Sequence, residues 1–155
     1  MLPLDLNIRL KPWLIGLLLL WTPVTLFAQG KPPATTIVIV HGAWGGAWQF
    51  VKIDPLLREH GYDVRRVTLT GLGDRNHLAT LETGLETHIT DVINIIRFEK
   101  LDNIILIGHS YGGMVISGVA NRMPDRIAQL VYLDALLPVD GESVQSMNVG
   151  RGKAL

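Results

Sequence analysis

The sequence contains no cysteine among its 155 residues. Without a thiol the chain forms neither a disulfide nor a thiolate zinc site, and a cysteine nucleophile or a lipidated cysteine is excluded as well. The chain also has no net charge, because 14 lysines and arginines balance 14 acidic residues. A neutral chain lacks the basic surface that nucleic-acid binding requires, so we expect no nucleic-acid partner.

Ligand patterns for metals and dinucleotides are missing too. No pair of His, Asp or Glu has the spacing at which a helix face holds a metal ion, so we expect none. The loop from Thr70 to His77 contains Gly71 and Gly73 but no third glycine at Asn76, which excludes a dinucleotide-binding fingerprint. We therefore expect no cofactor.

The first 28 residues differ from the rest of the chain. Arg9 and Lys11 precede an apolar block, residues 13–27, which is followed by the small residue Ala28. This pattern is typical of a secretory signal peptide. The fifteen residues of this block would span about 22 Å as a helix, less than the roughly 30 Å hydrocarbon core. We expect a cleaved signal over residues 1–28, with an uncleaved membrane anchor as the alternative, and a secreted or periplasmic protein with no stable anchor after cleavage.

Residues 29–35, with Pro32 and Pro33, are interpreted as a linker. After it, apolar runs without polar alternation recur, as in strands buried on both faces of a parallel sheet. Helical patterns separate them, and this alternation predicts an α/β fold with a mostly parallel sheet and helices on both faces. The predicted strands are Thr36–Val40, Asp63–Leu69, a run beginning at Ile104 and Ile127–Leu133.

Three helical segments are predicted between these strands. Residues 48–60 contain Pro55, which implies a break. Residues 87–100 have Thr87 as a plausible N-cap and an apolar stripe for the core. Residues 111–122 precede Pro124, which ends the helix. The stripe consists of Ile89, Val92, Ile93 and Ile96.

Ser110 is the candidate nucleophile. Gly108 and Gly112 lie two residues on either side of it, directly after a predicted strand and before a predicted helix. This is the spacing of a nucleophile elbow, a strained turn that keeps the serine oxygen exposed above the sheet. The backbone N–H of Tyr111, at the start of the helix, would point at an oxyanion. The alternative is a glycine-rich turn without chemistry.

A second glycine-rich segment follows the first predicted strand, at residues 41–47. Its glycines allow backbone amides to approach another group closely. In a serine hydrolase that group would be the oxyanion, held by one N–H from this loop and one from the residue after the serine. Alone, the loop is equally well a flexible connection. Asp74 and Arg75, in the later loop, are interpreted as an ion pair that fixes it.

With these motifs in this order, the chain resembles the α/β-hydrolase superfamily, in the esterase and hydroxynitrile-lyase branch that includes plant methyl esterases and similar bacterial hydrolases. The resemblance covers about Thr36 to Glu142. It implies that Ser110 is the nucleophile and that the amides of Ala43 and Tyr111 form the oxyanion hole. The residues that would shape the site are His41, Gly42, Trp44, Gly108, His109 and Gly112.

Two positions depart from this branch. Hydroxynitrile lyases of the branch have a threonine where this chain has Gly42, which favours ester hydrolysis over cyanohydrin cleavage. Relatives often carry a second histidine where this chain has Gly45.

A serine nucleophile needs an imidazole base that is oriented by a carboxylate, and this fold delivers them in the order Ser, Asp or Glu, His. None of the five histidines follows Ser110. Asp134 is a possible acid, although this branch generally places its acid one strand later; otherwise it caps a strand. His41 is interpreted as organising the 41–47 loop and His109 as packing, while His60 and His77 are interpreted as solvated.

The sequence therefore predicts a partial α/β-hydrolase domain over residues 36–155, ending before the cap and the last two strands. Its predicted function is serine hydrolysis of small carboxylic esters through an acyl-enzyme on Ser110, with a small-molecule ester as the partner. The alternatives are a non-catalytic fragment or pseudoenzyme of the same fold, and a hydroxynitrile lyase activity in the same site.

Overall fold

The structure is a computed structural model, and it describes residues 35–147. Within these residues four strands form one parallel sheet in the order β2-β1-β3-β4. The predicted α/β class with a mostly parallel sheet is confirmed. The predicted signal peptide and most of the predicted linker lie outside the described residues. The strands are β1 (Thr36–Val40), β2 (Asp63–Val67), β3 (Ile104–His109) and β4 (Ile127–Leu133).

Helices connect the strands. The α-helices are α1 (Asp54–Glu59), α2 (Leu85–Phe98) and α3 (Gly112–Arg122). The break predicted at Pro55 separates a 3₁₀ turn, Ala47–Phe50, from α1, in which the proline occupies the first turn. Two further 3₁₀ segments are Gly73–Leu78 and Pro124–Arg126.

Alternate residues of the central strands face two apolar layers, as expected for strands covered on both sides. In β1, Val38 and Val40 belong to the larger core, which includes residues of α2 and α3. Ile37 and Ile39 belong to a second cluster, against which Phe50 and other residues pack. The predicted apolar stripe of α2 is buried in the larger core: Ile89, Val92, Ile93 and Ile96.

Several details differ from the predictions. The second strand ends at Val67, two residues before the predicted end. The loop after it contains the 3₁₀ segment Gly73–Leu78. The prediction of Thr87 as the N-cap of α2 was wrong, because Gly84 is the N-cap and Thr87 is the third helical residue. The Thr87 hydroxyl instead accepts the N–H of Gly84 at 3.4 Å.

The register brings the carboxyl ends of the strands to one edge of the sheet. Val40 pairs with Val67 on one side and with Gly108 on the other, and Gly108 pairs with Tyr132. The segments that follow each strand are therefore neighbours, which is where open parallel sheets bind ligands. Among residues 35–147, no helix has the length and hydropathy needed to cross a bilayer.

Candidate active site

Ser110 occupies a strained turn between β3 and α3. Its φ of 53° lies in the left-handed region, which costs a residue with a side chain about 1–2 kcal/mol. Hydrogen bonds hold the turn on both sides. The Ser110 carbonyl accepts the N–H of Gly113 at 3.0 Å and that of Leu136 at 2.9 Å, while the Ser110 N–H donates to the Leu133 carbonyl at 3.4 Å. The strain is thus offset by neighbouring backbone.

The glycines at positions 108 and 112 allow α3 to lie close to the sheet. A Cβ on Gly108 would lie 2.6 Å from the Gly112 carbonyl oxygen. A Cβ on Gly112 would lie 2.6 Å from the Val40 carbonyl oxygen. Real Cβ atoms do not approach backbone so closely, so each position excludes a side chain unless the backbone moves.

Gly42 lies against the Ser110 side chain. A Cβ on Gly42 would lie 3.1 Å from Ser110 Cβ, 3.4 Å from Ser110 Oγ and 3.5 Å from His109 Nδ1. The serine side chain therefore faces the 41–47 loop, which follows β1. Since Gly42 has no side chain, this approach to Oγ stays open.

His41 holds the start of this loop from inside the protein, where it is 0% exposed. The Leu69 N–H donates to its Nε2 at 3.0 Å, so the proton lies on Nδ1 and is donated to the Gly42 carbonyl at 2.7 Å. Burial lowers the pKa of His41, which keeps the ring neutral. Both ring nitrogens are occupied, and His41 is therefore not available as a base.

The amides of Ala43 and Tyr111 have no hydrogen-bond acceptor among residues 35–147. The loop around Ala43 is fixed by hydrogen bonds. The Gly45 N–H donates to the Gly42 carbonyl at 3.1 Å, and the Ala47 N–H donates to Thr68 Oγ1 at 3.0 Å. Free N–H groups in rigid backbone are suited to hold a developing negative charge. Trp44, which directly follows Ala43 on the loop, is 96% exposed.

The Tyr111 side chain packs against the larger core. Its hydroxyl lies 2.9 Å from His88 Nδ1, and His88 Nε2 lies 2.9 Å from the Thr70 carbonyl. A carbonyl only accepts, so Nε2 carries the proton and Nδ1 accepts the phenol proton. The rings also meet edge to face, with centroids 5.7 Å apart. Burial raises the pKa of Tyr111 to about 12, so the phenol stays protonated.

Asp91 fixes Thr70, whose carbonyl accepts the hydrogen bond from His88. The N–H of Thr70 donates to Asp91 Oδ2 at 2.7 Å, and the Thr70 hydroxyl donates to Oδ1 at 2.9 Å. Nη1 of Arg75 lies 3.8 Å from the same carboxylate. Asp91 and His88 both belong to α2, and together they fix Thr70 to this helix.

The predicted ion pair between Asp74 and Arg75 was wrong in its partners. Asp74 accepts from the Thr68 hydroxyl at 2.8 Å, and Arg75 donates to the Thr68 carbonyl at 2.9 Å. Arg75 pairs with Asp91. The two side chains fix the loop, but they do so through Thr68 and α2 because neighbouring residues in a 3₁₀ segment point in different directions.

His109 and Asp134 lie beside Ser110 without bonding to it. The His109 ring meets Phe50 edge to face at 6.3 Å, and its buried Nδ1 has no hydrogen-bond partner among the described residues. Asp134 directly follows β4 with a φ of 44°. Among residues 35–147 no hydrogen bond to Ser110 Oγ or to the Asp134 carboxylate is found, and no cluster of His, Asp and Glu could hold a metal.

The sequence predictions missed three residues of this site: His88, Thr70 and Asp91. One signal was present. His88 lies four residues before Val92 and eight before Ile96, so it falls on the apolar stripe of α2 and had to be buried. Its partner Tyr111 lies 23 residues away in the sequence, and no local pattern predicts that contact.

Comparison with known proteins points to one family. The pattern that defines the alpha/beta hydrolase family matches residues 37–153. A carbendazim hydrolyzing esterase from Nocardioides sp. is 50% identical over 110 residues, which cover 71% of this chain and 46% of the esterase. An alpha-hydroxynitrile lyase from Arabidopsis thaliana is 35% identical over 102 residues, which cover 65% of this chain and 40% of the lyase.

A solved structure has the same fold. An extracellular alpha/beta-hydrolase from a Paenibacillus species superposes with a TM-score of 0.65 at 30% identity, covering 76% of this chain and 50% of that protein. The chain thus spans about half the length of the proteins it matches.

Proposed function

Because the chain belongs to the alpha/beta hydrolase family, we propose that it hydrolyses small carboxylic esters through an acyl-enzyme on Ser110. One observation carries the proposal. Ser110 is held in a positive-φ turn with its side chain against Gly42, and the residue after each of these two has an N–H without an acceptor in the described chain.

In the proposed reaction Ser110 Oγ attacks the ester carbonyl carbon and loses its proton to a base. The carbonyl oxygen becomes an oxyanion, which accepts from the amides of Ala43 and Tyr111. Such donors act on charge that exists only in the transition state, and losing one typically costs about 3–4 kcal/mol. Collapse breaks the bond to the alkoxide oxygen, which takes the proton back from the base and leaves as the alcohol. Water then hydrolyses the acyl group from Ser110 and releases the carboxylic acid.

The base in this proposal is an imidazole that the described residues do not supply. His41 and His88 have both ring nitrogens in hydrogen bonds. His60 donates from Nδ1 to the Leu56 carbonyl at 2.8 Å, and His77 is exposed. His109 directly precedes the serine, and its unpaired Nδ1 makes no bond to Oγ.

A chemical rescue experiment tests the proposal on the chain as it is. Imidazole is added to the protein, and the release of p-nitrophenol from p-nitrophenyl acetate is compared with that of Ser110→Ala under the same conditions. We expect an imidazole-dependent rate in excess of the rate for Ser110→Ala, because the proposed reaction needs only the serine, the two amides and a base. Mass spectrometry should find the acetyl group on Ser110.

Equal rates for the two proteins, both shown to be folded by circular dichroism, would contradict the proposal. They would favour the second candidate, a non-catalytic member of the family. The observation behind that candidate is that Ser110 Oγ has no hydrogen bond to any histidine among residues 35–147. Loss of a triad member leaves only about 10³–10⁴-fold catalysis over water, so the control with Ser110→Ala is essential.

Lyase activity is the third candidate, and the similarity to an alpha-hydroxynitrile lyase gives it a basis. Gly42 argues against lyase activity, since the lyases that the chain resembles have a threonine at this position. The Cβ of any side chain at position 42 would lie 3.4 Å from Ser110 Oγ. We expect no Ser110-dependent release of cyanide from mandelonitrile. Such release would restore the lyase assignment.

We also propose that residues 1–28 direct export. The support is the charged, apolar and small-residue pattern of the sequence. Expression with a C-terminal tag in a bacterial host should give a periplasmic or secreted protein whose mass lacks the leader. An intact mass, with the protein in the membrane fraction, would instead favour an uncleaved anchor.

A further inference from the structure

Both amides of the proposed oxyanion hole are connected to one short segment, residues 68–70, directly after β2. On the side of the 41–47 loop, the Leu69 N–H donates to His41 Nε2 at 3.0 Å. The Thr68 hydroxyl accepts the Ala47 N–H at 3.0 Å. These two bonds fix the loop on either side of Ala43.

The second amide reaches the same segment through two side chains. The Tyr111 hydroxyl donates to His88 Nδ1, and His88 Nε2 donates to the Thr70 carbonyl, each at 2.9 Å. Asp91 accepts from both the amide and the hydroxyl of Thr70. The 68–70 segment is therefore fixed to α2 while it holds both halves of the site.

We propose that His88 is a positioning residue that sets the Tyr111 amide in register with the Ala43 amide, by linking Tyr111 to the 68–70 segment. The inference rests on the proposed function, because it concerns the oxyanion hole of the proposed reaction. His88 does not touch the ester. It acts through the phenol of Tyr111, whose ring is part of the residue that carries the amide.

The chemistry of the link explains why a histidine suits this position. The link requires an acceptor on one side, for the phenol, and a donor on the other, for the carbonyl, at a site that is 6% exposed. A neutral imidazole offers both at fixed separation. An apolar side chain would leave the phenol and the Thr70 carbonyl unpaired in the protein interior. The Tyr111 side chain would then relax, and its amide with it.

Hydrogen–deuterium exchange of the full chain tests the structural half of the proposal, whatever the catalytic activity. The amides of Gly113 and Met114 donate to the carbonyls of Ser110 and Tyr111, so their exchange reports on the turn. We expect exchange at residues 110–116 to rise about tenfold in His88→Leu relative to amides of β1. His88→Gln keeps a donor and an acceptor and should restore much of the protection.

The matched control is Ile96→Val, which alters the same helix two turns further on at a residue that is 1% exposed. It should leave exchange in the 110–116 region unchanged relative to β1. Tyr111→Phe is the second test variant, because it deletes only the phenol oxygen and keeps the ring. An unchanged exchange ratio in both His88→Leu and Tyr111→Phe would overturn the proposal.

The catalytic half is tested with the imidazole-dependent assay on paired substrates, p-nitrophenyl acetate and its thionoester, in which sulfur replaces the carbonyl oxygen. A developing thiolate accepts hydrogen bonds poorly, so the oxyanion hole contributes less to its reaction. We expect Tyr111→Phe and His88→Leu to lower the ester rate about tenfold and the thionoester rate much less. Ile96→Val should leave the ratio of the two rates unchanged.

The outcomes separate this inference from the proposed function. A wild-type rate equal to that of Ser110→Ala contradicts the proposed function alone, and the exchange ratio still decides the role of His88. A Ser110-dependent rate whose ester-to-thionoester ratio is the same in wild type, Tyr111→Phe and His88→Leu contradicts the positioning role and leaves the esterase proposal in place.

Discussion

The N–H of Leu69 donates to Nε2 of His41 across 28 residues of sequence, and this bond determines which nitrogen of the ring carries the proton. The other nitrogen then donates to the Gly42 carbonyl. A proton added to Nε2 would face the Leu69 N–H, donor against donor. The bond therefore favours the neutral ring, as burial does, and both effects couple the protonation of His41 to the stability of the fold.

We predict that the free energy of unfolding falls as the pH is lowered from about 7 to 5. The pKa of His41 is lowered from its ordinary 6.5 by burial, so in this range His41 of the unfolded chain binds more protons than His41 of the folded chain. The contribution of His41 to the free energy of unfolding is then fully present above the pKa that His41 has in the unfolded chain. Below that pKa the contribution declines, with a slope of at most about 1.4 kcal/mol per pH unit. Urea denaturation at several pH values measures the slope.

His41→Asn is the control for this prediction. It should be less stable at every pH, yet its slope between about pH 7 and 5 should be smaller, because the group that titrates there is gone. The carboxylates of Asp54 and Asp74, whose pKa values are lowered, stay ionised in this range. Equal slopes in the wild type and His41→Asn would show that His41 is not the coupled group.

Gly112→Ala should destabilise the protein far more than Gly118→Ala, although both change a glycine of α3. At position 112 the new Cβ would lie 2.6 Å from the Val40 carbonyl oxygen, which is backbone of the central sheet. At position 118 it would meet the Ile89 side chain, with Cδ1 as its nearest atom, and no backbone of the sheet. Overpacking typically costs about 1–3 kcal/mol. Urea denaturation of both variants compares them, and equal losses would contradict the close approach of α3 to β1.

Ser110→Gly should be more stable than Ser110→Ala by about 0.5–1 kcal/mol. The φ of 53° at this position costs any residue with a Cβ about 1–2 kcal/mol, whereas glycine adopts it freely and loses about half of that gain to the entropy of its unfolded chain. Both variants lack the hydroxyl of Ser110. Thermal and urea denaturation of the pair measure the strain, and a more stable Ser110→Ala would place residue 110 in an ordinary conformation.

The strands were predictable from sequence because their apolar runs are bounded by residues that stop them. β1 and β4 have the predicted bounds, Thr36–Val40 and Ile127–Leu133. The start of α2 was not predictable in this way, because its N-cap is Gly84, which has an extended backbone and no capping side chain. Thr87 looked like a cap since its hydroxyl suits the role, and it does bond to the helix terminus from inside.

The contacts within the site were harder to predict than its members. The spacing of Gly108 and Gly112 around Ser110 gave the turn, because close backbone approach leaves a local mark on sequence. The link from Tyr111 through His88 to Thr70 joins residues 23 and 18 positions apart. Such a link depends on how α2 packs against the sheet, and composition and periodicity contain no information on the partner of a buried polar atom.

Gly42→Ala should lower the reactivity of Ser110 while the fold is kept. The added Cβ would lie 3.1 Å from Ser110 Cβ and 3.4 Å from its Oγ, so the serine must move by a few tenths of an ångström and one approach to Oγ is closed. A misplacement of about 1 Å can cost about 10²-fold in rate, so we expect this smaller shift to cost up to about tenfold. The measurement is the second-order rate of labelling by a fluorophosphonate probe in the presence of imidazole.

Gly84→Ala is the matched control for this last variant, because its Cβ would have no neighbour closer than 3.9 Å and the residue has an extended φ of −152°. It should react with the probe as fast as the wild type. Ser110→Ala gives the background of labelling at other sites. Labelling of folded Gly42→Ala at the rate of folded Gly84→Ala would show that the side chain of Ser110 does not face the 41–47 loop in solution. The amide of Ala43 could then not stabilise the oxyanion that forms when Ser110 attacks an ester.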